Sequence, residues 1–264
     1  MIGRAYTWLL LGWLLLPVAV MALFAFNDTE NRGNTRWQGF TLRWYQHLFD
    51  RPDLTRAFAT SVVLALVSTA VATVLGTLAG LALGRYRFRG RGAVNVVVLM
   101  SVACPELVLG AALLSMFVTL NVPRGFPTLV AAHVLFSLGF VAVTVRARVA
   151  GLDPAVDEAA RDLGAGPWAR FRLVTLPMIA PGVAAGALLA FAMSIDDVVV
   201  TGFTGGSTVT FPVWVYGATK TGVPPQANAL GTLLFAAGAL AALAASRRRP
   251  RQSSEPKITE EISR

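Results

Sequence analysis

Six apolar runs divide this sequence, at residues 6–26, 57–83, 94–120, 128–149, 178–203 and 227–245. Each is about as long as the ~20 residues an α-helix needs to cross the hydrocarbon core of a bilayer, or longer. Inside lipid the backbone N–H and C=O groups can be paired only within the chain, so runs of this length become spanning helices. The expected fold class is therefore all-α: a polytopic membrane protein with six transmembrane helices in the lipid bilayer. Composition bears this out. Only 14% of residues are charged, against ~25% in a typical soluble domain.

The net charge of +9 would fit a nucleic-acid binder. The basic residues, however, sit at the ends of the apolar runs, where the flanks of spanning helices carry them. No nucleic-acid partner is expected. Sidedness follows from the same residues. With the N-terminus in the cytoplasm, the cytoplasmic segments hold 16 Lys and Arg residues and the other side holds seven. The excess places both termini inside. It also puts the long polar insert at 153–177 in the cytoplasm. The single cysteine, Cys104, allows no disulfide within the chain and is too isolated to hold a metal.

The runs differ in detail. The first has 21 residues without a charge, longer than the ~7–15 apolar residues of a cleaved signal peptide, so it reads as a retained helix. Between the first two runs, Leu42, Tyr45, Leu48 and Phe49 share one helical face beside Trp37 and Trp44. This fits an amphipathic helix at the membrane interface or a packed loop helix. Gly76, Gly80 and Gly84 recur every four residues in the second run, a spacing that lets helix backbones approach closely in lipid. The third run is interrupted at Cys104-Pro105-Glu106. His133, near the start of the fourth, reads as a hydrogen bonder between helices. The fifth run contains the adjacent pair Asp196 and Asp197, the most expensive feature in the chain. A carboxylate at mid-depth costs roughly 2.5 kcal/mol or more when it faces lipid. Glu106 and the aspartates are therefore expected to face protein or a watery path. The tail, 247–264, is polar and expected to be disordered.

The insert has helix signals of its own. Asp153 can cap a helix that begins at Pro154. Asp157 and Glu158 fall near its first turn, where the helix dipole favours negative charge. Gly164 and Gly166 end it, Pro167 can start a second helix, and Pro177 is read as a stop before the fifth run. An ordinary loop joining two spans would use similar punctuation.

The residue pattern here resembles a known signature. Glu158-Ala159-Ala160, three further residues, Gly164, nine more, then Val174-Thr175-Leu176-Pro177 is similar to the EAA motif of ABC importer permeases, with Val174 where isoleucine is common. The segments WQGFTLRWY at 37–45, RYRFRG at 85–90, FAMSIDDVVV at 191–200 and KTGVPPQANAL at 220–230 resemble the C-type permease subunits of spermidine/putrescine importers. The resemblance runs over nearly the whole chain. It implies a single permease domain, 1–264, with the type I ABC importer (MetI-like) fold. In that fold the first span is peripheral and the other five form the transport core. The loop 151–177 would carry a coupling helix seated in a groove of an ATP-binding subunit, with Glu158, Ala159, Ala160, Gly164, Leu176 and Pro177 as coupling residues. The implied partners are a second, B-type permease subunit, two ATP-binding subunits and an extracytoplasmic polyamine-binding protein at a bacterial inner membrane. Permeases for putrescine alone, or for other small solutes, share the pattern.

The remaining signals narrow the mechanism. Gly164-Ala165-Gly166-Pro167-Trp168-Ala169 fits G-x-G-x-x-A but lacks the βαβ context of a dinucleotide site. No G-x-x-x-x-G-K-[ST] is present, so ATP and Mg would be bound by the partner ATPase and no cofactor is expected on this chain. The sequon at Asn27-Asp28-Thr29 means little in a permease of prokaryotic type. Asp196 and Asp197 could be read as an intramembrane aspartyl protease, but neighbours on a helix point ~100° apart and such a dyad must share a proton face to face. The preferred reading is electrostatic. Glu106, Asp196 and Asp197 would replace the lost hydration of a polyamine cation, and Phe203 and Trp214 would add cation–π contacts. One aspartate of the pair is expected to be structural. A passive channel leaves the EAA pattern without a role.

Overall fold

The computed structural model describes residues 2–29 and 33–247, so the tail at 248–264, read above as disordered, lies outside the described residues. Long apolar sequence becomes long helix. The first is α1 (Ile2–Phe24), followed by a single turn, α2 (Arg43–Gln46), and then α3 (Pro52–Arg85), 34 residues long. Next come α4 (Arg91–Ala103), α5 (Glu106–Thr119) and α6 (Phe126–Ala150). The insert forms α7 (Pro154–Asp162) and α8 (Pro167–Arg170); a π-helical stretch, Phe171–Thr175, then leads into α9 (Leu176–Asp196). The chain continues through α10 (Val199–Thr204) and α11 (Phe211–Ala218) to α12 (Pro225–Arg247). Among the described residues there is no strand, only an isolated bridge between Asn27 and Phe40. Five stretches are long and apolar enough to cross a membrane, and the pair α4 and α5 makes a bent sixth.

Helix α6 is the axis of the bundle. It packs most extensively on α3, then on α9 and α4. The glycine row of α3 explains the closeness. A Cβ on Gly80 would lie 2.5 Å from the Ala142 carbonyl oxygen, one on Gly76 2.7 Å from Val141 Cβ, and one on Gly84 2.7 Å from Val149 Cγ1. Backbone therefore lies against side chain with no room for a methyl group, as small-residue contacts in lipid allow. Val141, Val145 and Ile179 fill the seam between α6 and α9 without solvent exposure. Helix α1 stands at the edge, packed chiefly on α12, with most of its apolar side chains exposed.

Three expectations need correction. The interfacial amphipathic helix between the first two runs is only one turn. Leu48 is buried in a cluster with Leu54 and Phe211, while Leu42 and Phe49 are exposed. The loop is ordered instead by Asn27, which is fully buried. Its side chain donates to Asn34 Oδ1 and the Arg36 carbonyl, and accepts from Gln38 N. The Trp44 indole donates to its carbonyl. A buried, saturated carboxamide leaves no acceptor for a glycan, so the sequon is structural.

The third run breaks where the sequence interrupts it, and α4 and α5 meet at 114°. Pro105 cannot donate to the helical ladder, and its φ of −59° and ψ of 132° turn the chain out of the helix. The fifth run breaks at Asp197, whose ψ of 128° is extended. Finally, Pro177 is no stop. Helix runs on from Pro167 through the π-helical stretch to Asp196, 30 residues in one span. Proline is tolerated in the first turn of α9 because the wider π turn has already shifted the bonding register there. Leu176 N–H donates to the Phe171 carbonyl, five residues back.

Candidate functional site: an acidic cavity and an exposed face on the polar insert

The two chain breaks meet. Cys104-Pro105 separates α4 from α5 and Asp197-Val198 separates α9 from α10; Glu106, just after the first break, and Asp197 and Val198 of the second line one cavity of about 370 Å³. Its lining includes Glu106, Met193, Asp196, Asp197 and Val199. Helices α5 and α10, the segments beyond the breaks, pack on each other through Leu113, Phe117 and Val200. Gly110 lies under the Phe203 ring, where a Cβ would come within 2.7 Å.

The adjacent aspartates have different surroundings. Asp197 is buried. Its Oδ1 accepts from Val200 N at 3.2 Å, and its Oδ2 accepts from both the backbone N–H and the hydroxyl of Thr201, each at 2.7 Å. It therefore supplies the acceptors that the open first turn of α10 lacks. The network continues inward. His133 Nε2 lies 3.0 Å from Thr201 Oγ1, its Nδ1 lies 2.8 Å from Ser194 Oγ, and Ser194 lies 3.0 Å from Ser68 Oγ. All five side chains are buried, on α3, α6, α9, α10 and the break itself. A satisfied buried polar network of this kind fixes one arrangement of the helices that carry it.

Asp196, one residue earlier, is exposed at the cavity, and so is Glu106 at the start of α5. Neither has an ion-pair partner among the described residues. Two unpaired carboxylates at the edge of one cavity make a negative site suited to a cation. The structure does not bring Phe203 or Trp214 to this lining. Phe203 packs on Gly110. Trp214 lies with the Leu48 and Phe211 cluster, where its indole donates to Asp53 Oδ2 at 3.1 Å beneath the Arg51 guanidinium. With Asp197 committed to Val200 and Thr201, the pair has no geometry for sharing a proton as a protease dyad does.

At the other end of the 167–196 helix lies the face formed by the polar insert. Asp153 accepts from Ala155 N at 2.9 Å and caps α7. The helix ends in a Schellman motif. Gly164 N–H donates to the Arg161 carbonyl, Ala165 N–H donates to the Ala160 carbonyl, and Gly164 has φ +78°. Only glycine takes that angle freely, which gives the glycine of the EAA pattern a conformational reason. Glu158, Ala159 and Pro177 are exposed, as are Leu163 (88%), Trp168 (70%) and Leu173 (71%). Large apolar side chains so exposed beside charged ones mark a surface made for contact.

Sequence reasoning missed how this face is attached. Oδ2 of Asp157 pairs with Arg85 Nη2 at 2.8 Å, Arg170 Nη1 at 3.1 Å and Arg161 Nη2 at 3.3 Å. The acid was visible as a first-turn residue. Its partners lie in other elements, and no local spacing signals them.

Comparison with known proteins places these features. Residues 72–252 match the model of the family described as binding-protein-dependent transport system inner membrane component. The spermidine/putrescine transport system permease protein PotC of Escherichia coli (strain K12) is 39% identical over 240 residues, covering 89% of this chain and 90% of that protein. Its counterpart in Haemophilus influenzae is 37% identical over 233 residues, with 88% and 90% covered. The putrescine transport system permease protein PotI of E. coli K12 is 36% identical over 239 residues, with 87% and 84% covered. Among solved structures, a bacterial ABC transporter involved in import of the acidic polysaccharide alginate superposes with a TM-score of 0.67 at 17% identity, over 93% of this chain and 94% of that one. The MetNI methionine ABC transporter gives 0.61 at 21% identity, over 74% and 93%. The structural likenesses establish the shared helical fold.

Proposed function

This chain belongs to the family of binding-protein-dependent transport system inner membrane components, and we propose that it forms half of an ATP-driven path for polyamines. It is a multi-pass membrane protein and a transport subunit, not an enzyme. Its companions in this reading are a second permease subunit, two ATP-binding subunits that hold ATP and Mg, and a binding protein outside the membrane. Both termini lie in the cytoplasm.

One relationship carries the proposal. A single helix, 167–196, begins at the exposed Trp168 of the docking face and ends at Asp196 in the acidic cavity. At 1.5 Å per residue it spans ~45 Å. Movement imposed at the cytoplasmic end reaches the cavity through one continuous element, as alternating access requires. ATP binding would draw the docking helices of the two permease subunits together and open the path outward. Hydrolysis would reset it. Glu158 and Ala159 would meet the ATP-binding subunit directly, with Ala160, Gly164, Leu176 and Pro177 shaping the face. Glu106 and Asp196 would receive ammonium groups of the polyamine. This agrees with the substrates named for the relatives, since an unpaired carboxylate along the path replaces part of the cation's lost hydration.

The test is reconstitution of the complex in proteoliposomes with Glu158→Arg. Loss of ATPase stimulation by the binding protein, and of uptake, is expected. Normal stimulation and normal uptake would refute the docking role.

A further inference from the structure

We propose that Asp157 is the pin through which the docking helix moves the bundle, a positioning residue that sets how much transport each ATP yields. The proposal rests on the reading of α7 as the helix that docks on the ATPase. None of the nine residues of α7 is buried, so apolar packing holds it only loosely. Its ion pairs to the rest of the molecule converge on one atom, Asp157 Oδ2.

The two external partners belong to different spans. Arg85 is the last residue of α3, and its second nitrogen, Nη1, donates to Thr175 Oγ1 in the π-helical stretch at 3.1 Å. Arg170 lies on the turn that leads into α9. A single carboxylate therefore ties α7 to α3 and to the helix that ends at Asp196, while Arg85 ties those two to each other. Arg161, one turn along α7, holds the carboxylate in place from within its own helix.

Exposure decides whether such a tie matters. Side-chain exposure is 13% for Asp157, 25% for Arg85 and 17% for Arg170. The surface pairs Arg43–Asp28 and Arg51–Asp53 are 39–53% exposed and belong to the class that contributes little. A shielded carboxylate shared by two spans cannot lose its charge without freeing α7 from both. The consequence is slippage. The motor still grips Glu158 and hydrolyses ATP, but the displacement of α7 is no longer passed to α3 and α9.

The test uses the full complex in proteoliposomes and measures radiolabelled spermidine taken up per ATP hydrolysed. Asp157→Asn is expected to co-purify with the ATP-binding subunits and keep its ATPase activity, while the ratio falls about 5-fold or more, the lower end of a typical coupling free energy. Asp157→Glu is expected to restore most of the ratio. Arg85→Gln cuts the ties of α3 to Asp157 and to Thr175 and leaves the Asp157–Arg170 pair in place, so it decides the matter if Asp157→Asn fails to assemble, and it should lower the ratio in the same direction. An unchanged ratio in Arg85→Gln, with assembly intact, overturns the proposal. A Glu158→Arg complex that couples like wild type would instead overturn the docking role on which it rests.

Discussion

Thr201 turns both its backbone N–H and its hydroxyl onto one oxygen of Asp197, each at 2.7 Å, in a buried site. That relationship separates two adjacent aspartates into a structural residue and a residue free to meet a ligand.

Asp197→Ala leaves the N–H groups of Val200 and Thr201 without an acceptor and the hydrogen-bond chain through His133 without its end. A buried polar group left unsatisfied costs about 1–3 kcal/mol. The purified protein should therefore melt several degrees lower in detergent. Asp196→Asn, at an exposed position, should melt as wild type does and lose uptake instead. Equal effects of both changes on melting would contradict the division of roles.

The long apolar runs were legible because length and hydrophobicity alone decide that a segment spans. The close-packed face of α3 was legible too, since its period of four is a property of one helix. What depended on a second element was not. The expense of Asp196 and Asp197 in an apolar run was plain, but which one is tied down depends on Thr201, His133 and Ser194 meeting across helices. Trp214 and Phe203 have the aromatic faces a cation would use, yet each packs elsewhere, against Asp53 and Gly110. At Pro177, a residue that usually ends a helix lies just after a π turn, and the sequence has no periodicity that marks such a turn. The EAA pattern was found by resemblance. Its attachment through Arg85, 72 positions before Asp157, is a fact of tertiary structure.

Close approach of α3 and α6 predicts a sharp contrast between glycines. Gly80→Ala drives a methyl into the Ala142 carbonyl, and such overpacking costs typically ~1–3 kcal/mol. Gly217→Ala in α11 meets nothing within 4 Å and should be neutral or slightly stabilising. Thermal unfolding of the two variants in the same detergent compares them directly.

Sidedness is open to labelling. In a Cys104→Ser background, a cysteine at Leu163, 88% exposed beyond α7, should react with an impermeant maleimide only from the cytoplasmic face of oriented membrane vesicles. A cysteine at Lys220, in the loop before α12, should react only from the opposite face. The reverse pattern would invert the topology and remove the docking face from the motor's side.

The central claim is that Glu106 and Asp196 form the cationic substrate's station on a path driven from the docking face. Its most direct test is ATP-dependent uptake of radiolabelled spermidine by the reconstituted complex carrying Glu106→Gln and Asp196→Asn together. Uptake should fall at least ~10-fold, equivalent to ~1.4 kcal/mol, while ATP binding and subunit assembly stay as in wild type. Wild-type uptake by the doubly neutralised protein would contradict the account.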